Sequence, residues 1–197
     1  MFRFFQRKPR EREIYFHEDD YCQQQLLPLG AAAHAGTELT KIDEFANAHQ
    51  VPDGLGWTDM YVRGEAPVEI SALKVKKEDF ATIVGPILPA FDVVYSGYSS
   101  HREKCHRTAA WGRSAQCALF IDWNDDDIIK NIWAELFEQS EDSIRAASKA
   151  IAALGKVHRL VYVDWAWKYT CDASEEEAFA SRLRNKLRAI AESAHNL

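Results

Sequence analysis

The last third of the chain constrains the fold most, because two amphipathic helix patterns flank a strand pattern there. Apolar side chains recur at helical spacing over residues 140–155, SEDSIRAASKAIAALG. A strand pattern follows at 158–167, HRLVYVDWAW. A second helix is predicted over 174–194, where Ser174 and Glu177 have the spacing of a capping box. Helices and strands that alternate without a strict βαβ repeat are typical of an α+β fold.

The rest of the chain supplies further segments of both kinds. Strand patterns, rich in β-branched and aromatic residues, occur at 12–17, 21–29, 57–64, 68–75, 91–98 and 115–123. Helix patterns occur at 40–49, where Thr40 is a candidate N-cap, and at 76–88 and 125–139. Together they predict a single α+β domain over 11–197, with a mixed, largely antiparallel sheet of about seven strands and about five helices packed on it.

Charge is distributed unevenly along the chain. The first ten residues, MFRFFQRKPR, carry four cations and no acid, and we interpret them as a flexible basic N-terminal arm. The whole chain has six net negative charges, so the remainder without those four cations has ten. This acidity argues against nucleic-acid binding, and no apolar run is long enough for a membrane span. Without a signal peptide or a CxxC motif, the four cysteines indicate a cytoplasmic protein with reduced thiols.

Motifs of the most recognisable enzyme classes are absent: the sequence has no Gly-rich phosphate loop, no G-x-S-x-G and no H-E-x-x-H. The strongest candidates for chemistry are His101, Cys105 and His106, in a predicted polar loop at 99–114. Imidazole and thiolate are zinc ligands, and a nearby histidine can also activate a thiol. The third interpretation is an ordinary polar loop. We expect no cofactor.

Two acidic clusters are candidates for contact with a partner. Glu18, Asp19 and Asp20 follow His17 between two predicted strands, where they would form the solvated tip of a β-hairpin. Adjacent carboxylates rarely converge on one cation, which disfavours a metal site there. The second cluster is DWNDDD at 122–127. One of Asp125 and Asp126 would cap the helix predicted to follow, which leaves the other carboxylates free to meet cations on a partner.

The members of the second cluster proposed to bind a partner are Asp122, Asp125, Asp126 and Asp127. Trp57 and Trp111 lie in or beside glycine-containing loops, so they are the tryptophans for which exposure is most expected. An exposed tryptophan is a natural anchor in a protein interface.

Residues 14–28, IYFHEDDYCQQQLLP, resemble the opening strand pair of bacterial immunity-type proteins, the inhibitors of secreted toxins. The resemblance implies an α+β protein that binds one toxin tightly and has no enzymatic activity. It carries no shared site motif, so it assigns no role to any residue.

The sequence therefore favours a non-enzymatic binding protein that neutralises a cognate bacterial toxin. It would do so by covering the toxin's active cleft with its acidic loops, and the toxin would have a basic surface, because complementary fields speed association. Two other functions stay open. One is a small enzyme with a Cys/His or metal site around 101–106, and the other is a scaffold or oligomerisation domain. Homo-oligomerisation also stays open.

Overall fold

The structure is a computed structural model that describes residues 11–51, 56–98 and 100–194. The predicted basic arm lies outside the described residues. The strands of the described part are β1 Glu13–His17, β2 Gln24–Pro28, β3 Val93–Gly97, β4 Glu103–Lys104, β5 Thr108–Ser114, β6 Cys117–Trp123, β7 Ile129–Leu136, β8 Leu160–Asp164 and β9 Tyr169–Asp172. Its α-helices are α1 Ala32–His49, α2 Lys77–Val84, α3 Glu141–His158 and α4 Glu176–Ala194.

The strands form two sheets. The larger sheet has six strands in the order β5-β6-β7-β2-β8-β9, and every neighbouring pair is antiparallel. The smaller sheet has the order β1-β3-β4, in which β1 is parallel to β3 and β4 is antiparallel to it. The α+β class and the largely antiparallel pairing are confirmed, whereas the single sheet of seven strands is wrong.

The six-stranded sheet is covered on both faces. Helices α2, α3 and α4 pack on one face and bury the largest core, to which they contribute Phe80, Ile151 and Phe179 among others. The opposite face is shared by two layers. The small sheet covers β5–β7, where Phe16 of β1 packs edge-on against Phe120 and Trp133. Helix α1 covers β2 and β8, where Leu27, Val161, Val163 and Trp165 meet Ala35 and Leu39. A seam therefore lies between these two layers.

A buried ion pair fixes α4 to the sheet. Lys186 Nζ donates to Asp164 Oδ2 at 2.6 Å, and the side chains are 2% and 0% exposed. The second Asp164 oxygen accepts the backbone N–H of Trp167 at 2.9 Å. Burial lowers the pKa of Lys186, and the adjacent Asp164 acts in the opposite direction.

The predicted hairpin of β1 and β2 is wrong. A single turn of 3₁₀ helix, Glu18–Asp20, leads out of β1, and Cys22 then adopts a left-handed conformation with φ of 56°. The chain is thereby redirected from the small sheet to the large one. Because β1 must cover the sheet with Phe16 while β2 is inserted within it, the two strands cannot pair with each other.

The predicted helix at 125–139 is also wrong, since this segment forms the turn after β6 and the central strand β7. Asn124 Oδ1 accepts the backbone N–H groups of Asp126 and Ile128, both at 3.0 Å, and Asp127 has φ of 59°. These are the features of a turn rather than of a helix cap. The prediction failed because β7 is buried on both faces and is therefore apolar at most positions. Some of those apolar residues also have the spacing expected of one face of a helix.

Three further predictions are corrected. Residues 57–64 form no regular strand, and 68–75 contain a 3₁₀ helix, Ile70–Leu73. The predicted polar loop at 99–114 contains β4 and the edge strand β5. Strand β5 was not predicted because several of its residues are small and give no strand pattern. The packing requires Gly112 to be small, because a Cβ there would lie 2.4 Å from the Cys117 carbonyl oxygen. Thr40 lies inside α1, which begins at Ala32, and therefore does not cap it.

In the described part of the chain, no helix combines the length and the apolar character needed to cross a membrane.

Candidate functional site

The structure does not bring His101, Cys105 and His106 into one site. His101 and His106 are exposed, and His101 Nε2 lies 3.9 Å from a carboxylate oxygen of Glu103. The Cys105 thiol instead donates to the Ser96 hydroxyl at 3.3 Å. Across the described residues, no group of three or more His, Cys, Asp or Glu side chains is arranged to hold a metal ion. The geometry thus supplies neither the zinc set nor the thiol–imidazole pair that the sequence suggested.

The acids of the first cluster occupy the turn between the two sheets. The backbone N–H of Asp19 donates to His17 Nδ1 at 3.2 Å, and Glu18 and Asp19 are exposed. Asp20 lies near Glu135, a buried carboxyl on β7. Burial chiefly, and Asp20 secondarily, raise the pKa of Glu135 to about 8. One oxygen of Glu135 has no hydrogen-bond partner in the described part of the protein.

The acids of the second cluster are largely engaged within the chain. Asp125 pairs with Arg107, and Asp127 lies 2.8 Å from Lys77 Nζ. No ion-pair partner of the exposed Asp126 lies among the described residues. Asp122 belongs to a different network, in which its Oδ2 accepts the Tyr21 hydroxyl at 2.6 Å.

Tyr21 joins the surroundings of both acidic clusters. It follows Asp20 in the chain, its ring packs edge-on against Trp133, and its hydroxyl reaches Asp122. Asn131 donates to this hydroxyl at 2.8 Å and to Asp122 at 3.1 Å. Burial and the bond to Asp122 raise the pKa of the Tyr21 phenol. The phenol therefore stays protonated and donates to Asp122.

An exposed apolar surface lies beside α1. Trp57, Met60 and Val62 are 63%, 80% and 80% exposed. Between this segment and α1 runs a groove of about 500 Å³. The residues of this apolar groove include Ile42, Phe45, Trp57, Met60, Tyr61 and Trp165. Trp111, the other tryptophan for which exposure was most expected, is buried.

The exposed segment is held in place by defined contacts. Backbone Thr58 donates to the His49 carbonyl at 2.8 Å, and Gln50 forms a β-bridge with Trp57. The Phe45 ring stacks on His49 at 4.1 Å and contacts the Tyr61 ring at 5.5 Å. The groove walls are therefore fixed to the end of α1, although residues 57–64 form no regular strand.

The buried carboxylate of Glu38 ties the same segment to α1. It accepts Lys41 Nζ at 2.8 Å, the Tyr61 hydroxyl at 2.9 Å and the Gly64 N–H at 2.9 Å. These hydrogen bonds, led by those from Lys41 and Gly64, lower the pKa of Glu38 to about 2. Because it binds donors from both α1 and the exposed segment, we call this carboxylate a structural clamp. It fixes the positions of Tyr61 and Gly64, on either side of Val62.

A polar cleft of about 400 Å³ adjoins the groove, and Trp165 lines both. We call it the Arg63 cleft; its lining includes Tyr21, Gln25, Arg63, Glu69, Lys130 and Trp165. The Arg63 guanidinium lies 4.6 Å from the centre of the Trp165 ring and donates to the Cys22 carbonyl at 3.3 Å. Burial lowers the pKa of Arg63.

Most of this surface was not predicted from the sequence. Trp57 was identified as a candidate for exposure, but Met60 and Arg63 were assigned to a strand. The missed signal is that Met60 and Val62 lie on one face of that predicted strand while Trp57 and Tyr61 lie on the other. An antiparallel strand with only one covered face keeps its apolar residues on that face. An irregular segment that exposes several large apolar residues and is clamped at both ends is typical of a protein-binding surface.

Comparisons with protein-family models, with curated proteins and with solved structures find no match to this chain.

Proposed function

We propose that this chain is a non-enzymatic, cytoplasmic binding protein that neutralises a bacterial toxin by covering the toxin's active cleft. The observation that carries the proposal is the apolar groove with its exposed neighbours Trp57, Met60 and Val62. Contiguous exposed apolar residues with polar neighbours mark protein or membrane interaction sites and ligand-binding grooves. The resemblance of residues 14–28 to immunity-type proteins supports the toxin as the partner.

Trp57 is the expected energetic centre of this interface. A tryptophan side chain has roughly 150–250 Å² of surface to bury, and most of that of Trp57 faces solvent. Buried interface tryptophans typically cost about 2 kcal/mol or more when truncated. That free energy corresponds to a roughly thirtyfold weaker complex.

The charge of the chain supports a basic partner. The chain has a formal net charge of −6, and Asp59 lines the groove itself. The lysine on the groove wall, Lys168, is already paired with Asp43 of α1. A partner with exposed lysines and arginines would be attracted to this face, and salt would slow its association.

The test begins with the reading frames adjacent to the gene for this chain, among which the proposal expects one that encodes a toxin domain. Co-expression should restore growth, and calorimetry should measure a stable complex. The variants Trp57→Ala and Met60→Ala should each weaken that complex by about thirtyfold. Val157→Ala is the matched control, because Val157 is 61% exposed on α3, which packs on the other face of the large sheet.

Two outcomes would contradict the proposal. If the chain neither binds the neighbouring toxin domain nor protects cells from it, the proposed function is wrong. If it protects but the two groove variants bind as tightly as Val157→Ala, the interface is elsewhere.

A further inference from the structure

Arg63 is a half-buried cation whose hydrogen-bonding capacity is mostly unused. A guanidinium has five N–H donors, and the hydrogen bond to the Cys22 carbonyl is a long one at 3.3 Å. No carboxylate of the described residues lies within ion-pair distance of Arg63. The Trp165 ring fixes the plane of the guanidinium but supplies no counter-charge. Glu38 attracts Arg63 from beyond ion-pair distance, but its carboxylate is already held by Lys41, Tyr61 and Gly64. Arg63 therefore lacks a close, hydrogen-bonded counter-charge, which a partner group would supply.

Other donors face the same cleft. Gln25 accepts the Trp165 indole N–H through Oε1 at 3.3 Å, so its amide NH₂ group is left as a donor. Lys130 is exposed on the cleft wall, and no carboxylate of the described chain pairs with it. Arg63, Gln25 and Lys130 therefore present donors to one cavity of about 400 Å³.

The acids of the cleft lie at its mouth. Glu65 and Glu69 are both exposed, and Glu69 accepts the Ser71 hydroxyl at 3.0 Å. These two glutamates would repel a free anion that approaches from solvent. A carboxylate with cations beside it would instead pair with the donors of the cleft, while its cations pair with Glu65 and Glu69.

We infer that the Arg63 cleft binds a carboxylate side chain of the partner, with Arg63 as the pairing residue and Glu65 and Glu69 meeting the cations beside it. This inference rests on the proposed function and specifies its chemistry. The partner then presents an aspartate or glutamate within a basic surface, next to the apolar residue that enters the groove. Pairing with an arginine favours bidentate geometry, so the contact supplies orientation as well as affinity.

Short peptides test the cleft without the toxin. Acetyl-Arg-Glu-Arg-amide should shift the Arg63 Nε–Hε resonance in ¹⁵N NMR spectra, and acetyl-Arg-Gln-Arg-amide should not. Arg63→Gln should weaken binding of the Glu peptide at least about tenfold, because a hydrogen bond between charged groups is lost. Arg63→Lys keeps the charge without the planar fork and should lie between.

Arg102→Gln is the matched control. Arg102 also stacks on an aromatic ring, 3.9 Å from the centre of Tyr95, but it is already paired with Glu13 at 3.1 Å. This variant should bind the Glu peptide as the wild type does. Thermal unfolding of Arg63→Gln shows whether this variant is folded. The comparison of the Glu and Gln peptides uses the wild-type protein, so it tests the inference even if the variant does not fold.

Equal binding of the Glu and Gln peptides would overturn the inference. So would a toxin complex that is as tight with Arg63→Gln as with Arg102→Gln, and that result would leave the proposed function intact. Failure of the wild-type chain to bind the toxin would instead refute the proposed function, and the peptide spectra would still decide whether the cleft receives a carboxylate.

Discussion

Replacing Lys186 by methionine should destabilise the protein far more than the loss of one surface charge would. Methionine keeps most of the side-chain volume, so packing near the Phe137 ring, 5.0 Å from Lys186 Nζ, is largely preserved. Asp164, which is fully buried, would keep only the hydrogen bond from the Trp167 N–H at 2.9 Å. Leaving one partner of a buried pair uncompensated costs about 3–5 kcal/mol.

That loss is a large part of the roughly 5–15 kcal/mol by which a domain is normally stable. At roughly 2–4 °C per kcal/mol for a chain of this size, the melting temperature should fall by about 6–20 °C. Urea denaturation followed by circular dichroism measures the free energy of unfolding directly. The double variant Lys186→Met with Asp164→Asn should recover part of the loss, because the uncompensated charge is then gone.

Arg184→Met is the matched control on the same helix. Arg184 makes a two-oxygen contact with Glu141, at 3.0 Å and 3.1 Å, but on the protein surface. Its removal should hardly move the unfolding midpoint, because water replaces the lost contact. If Lys186→Met and Arg184→Met have the same midpoint, then desolvation of Asp164 is not what makes the pair important, and the reasoning is refuted.

Three other substitutions test the electrostatics of the fold and of the acidic turn. Because the pKa of Glu135 is raised to about 8, the folded state retains a proton that the unfolded state, with a pKa of about 4.3, has lost. Wild-type stability should therefore fall between about pH 4.3 and pH 8, and Glu135→Gln should remove that fall in urea midpoints measured across this range. Glu38 has the opposite sign: its pKa of about 2 gives stability that is complete above about pH 4.3 and is lost as the pH falls towards 2. Glu38→Gln should flatten acid unfolding followed by circular dichroism, and an unchanged profile would contradict the clamp. Joint replacement of Asp125, Asp126 and Asp127 by asparagine should slow toxin association at low salt in stopped-flow measurements, and an unchanged rate would exclude a steering role.

Elements with a clear apolar stripe, or with a run of β-branched and aromatic residues, could be predicted from the sequence. Helices α3 and α4 were found because each presents an apolar stripe to the sheet and a polar face to water. Strands β3 and β6 were found from their β-branched and aromatic residues. Strand β7 was missed because both of its faces are buried, so apolar and polar residues do not alternate along it, and its apolar residues also fit the spacing of a helix.

Pairing and site could be predicted less well. Nothing within residues 12–29 indicates that β1 pairs with β3, because that choice depends on Phe16 packing over Phe120 and Trp133. The groove exists only because α1 and residues 57–61 lie side by side. The hydrogen bond from the Gly64 N–H to Glu38 helps to hold them together, but the sequence between these two residues has no periodicity from which the contact could be predicted. The glycine-containing context of Trp57 predicted that this residue is exposed, but the residues that form the groove around it could not be predicted from the sequence.

The insertion of β2 between β7 and β8 has a consequence for biosynthesis. Residues 24–28 leave the ribosome early, yet the strands on both sides begin only at Ile129 and Leu160. The β5–β6–β7 meander is local and can form first. β2 has both edges unpaired until β7 has been translated, and its second edge stays unpaired until β8 follows. Completion of the sheet is therefore a late, long-range step of folding, which requires residues 160–164 to have been translated.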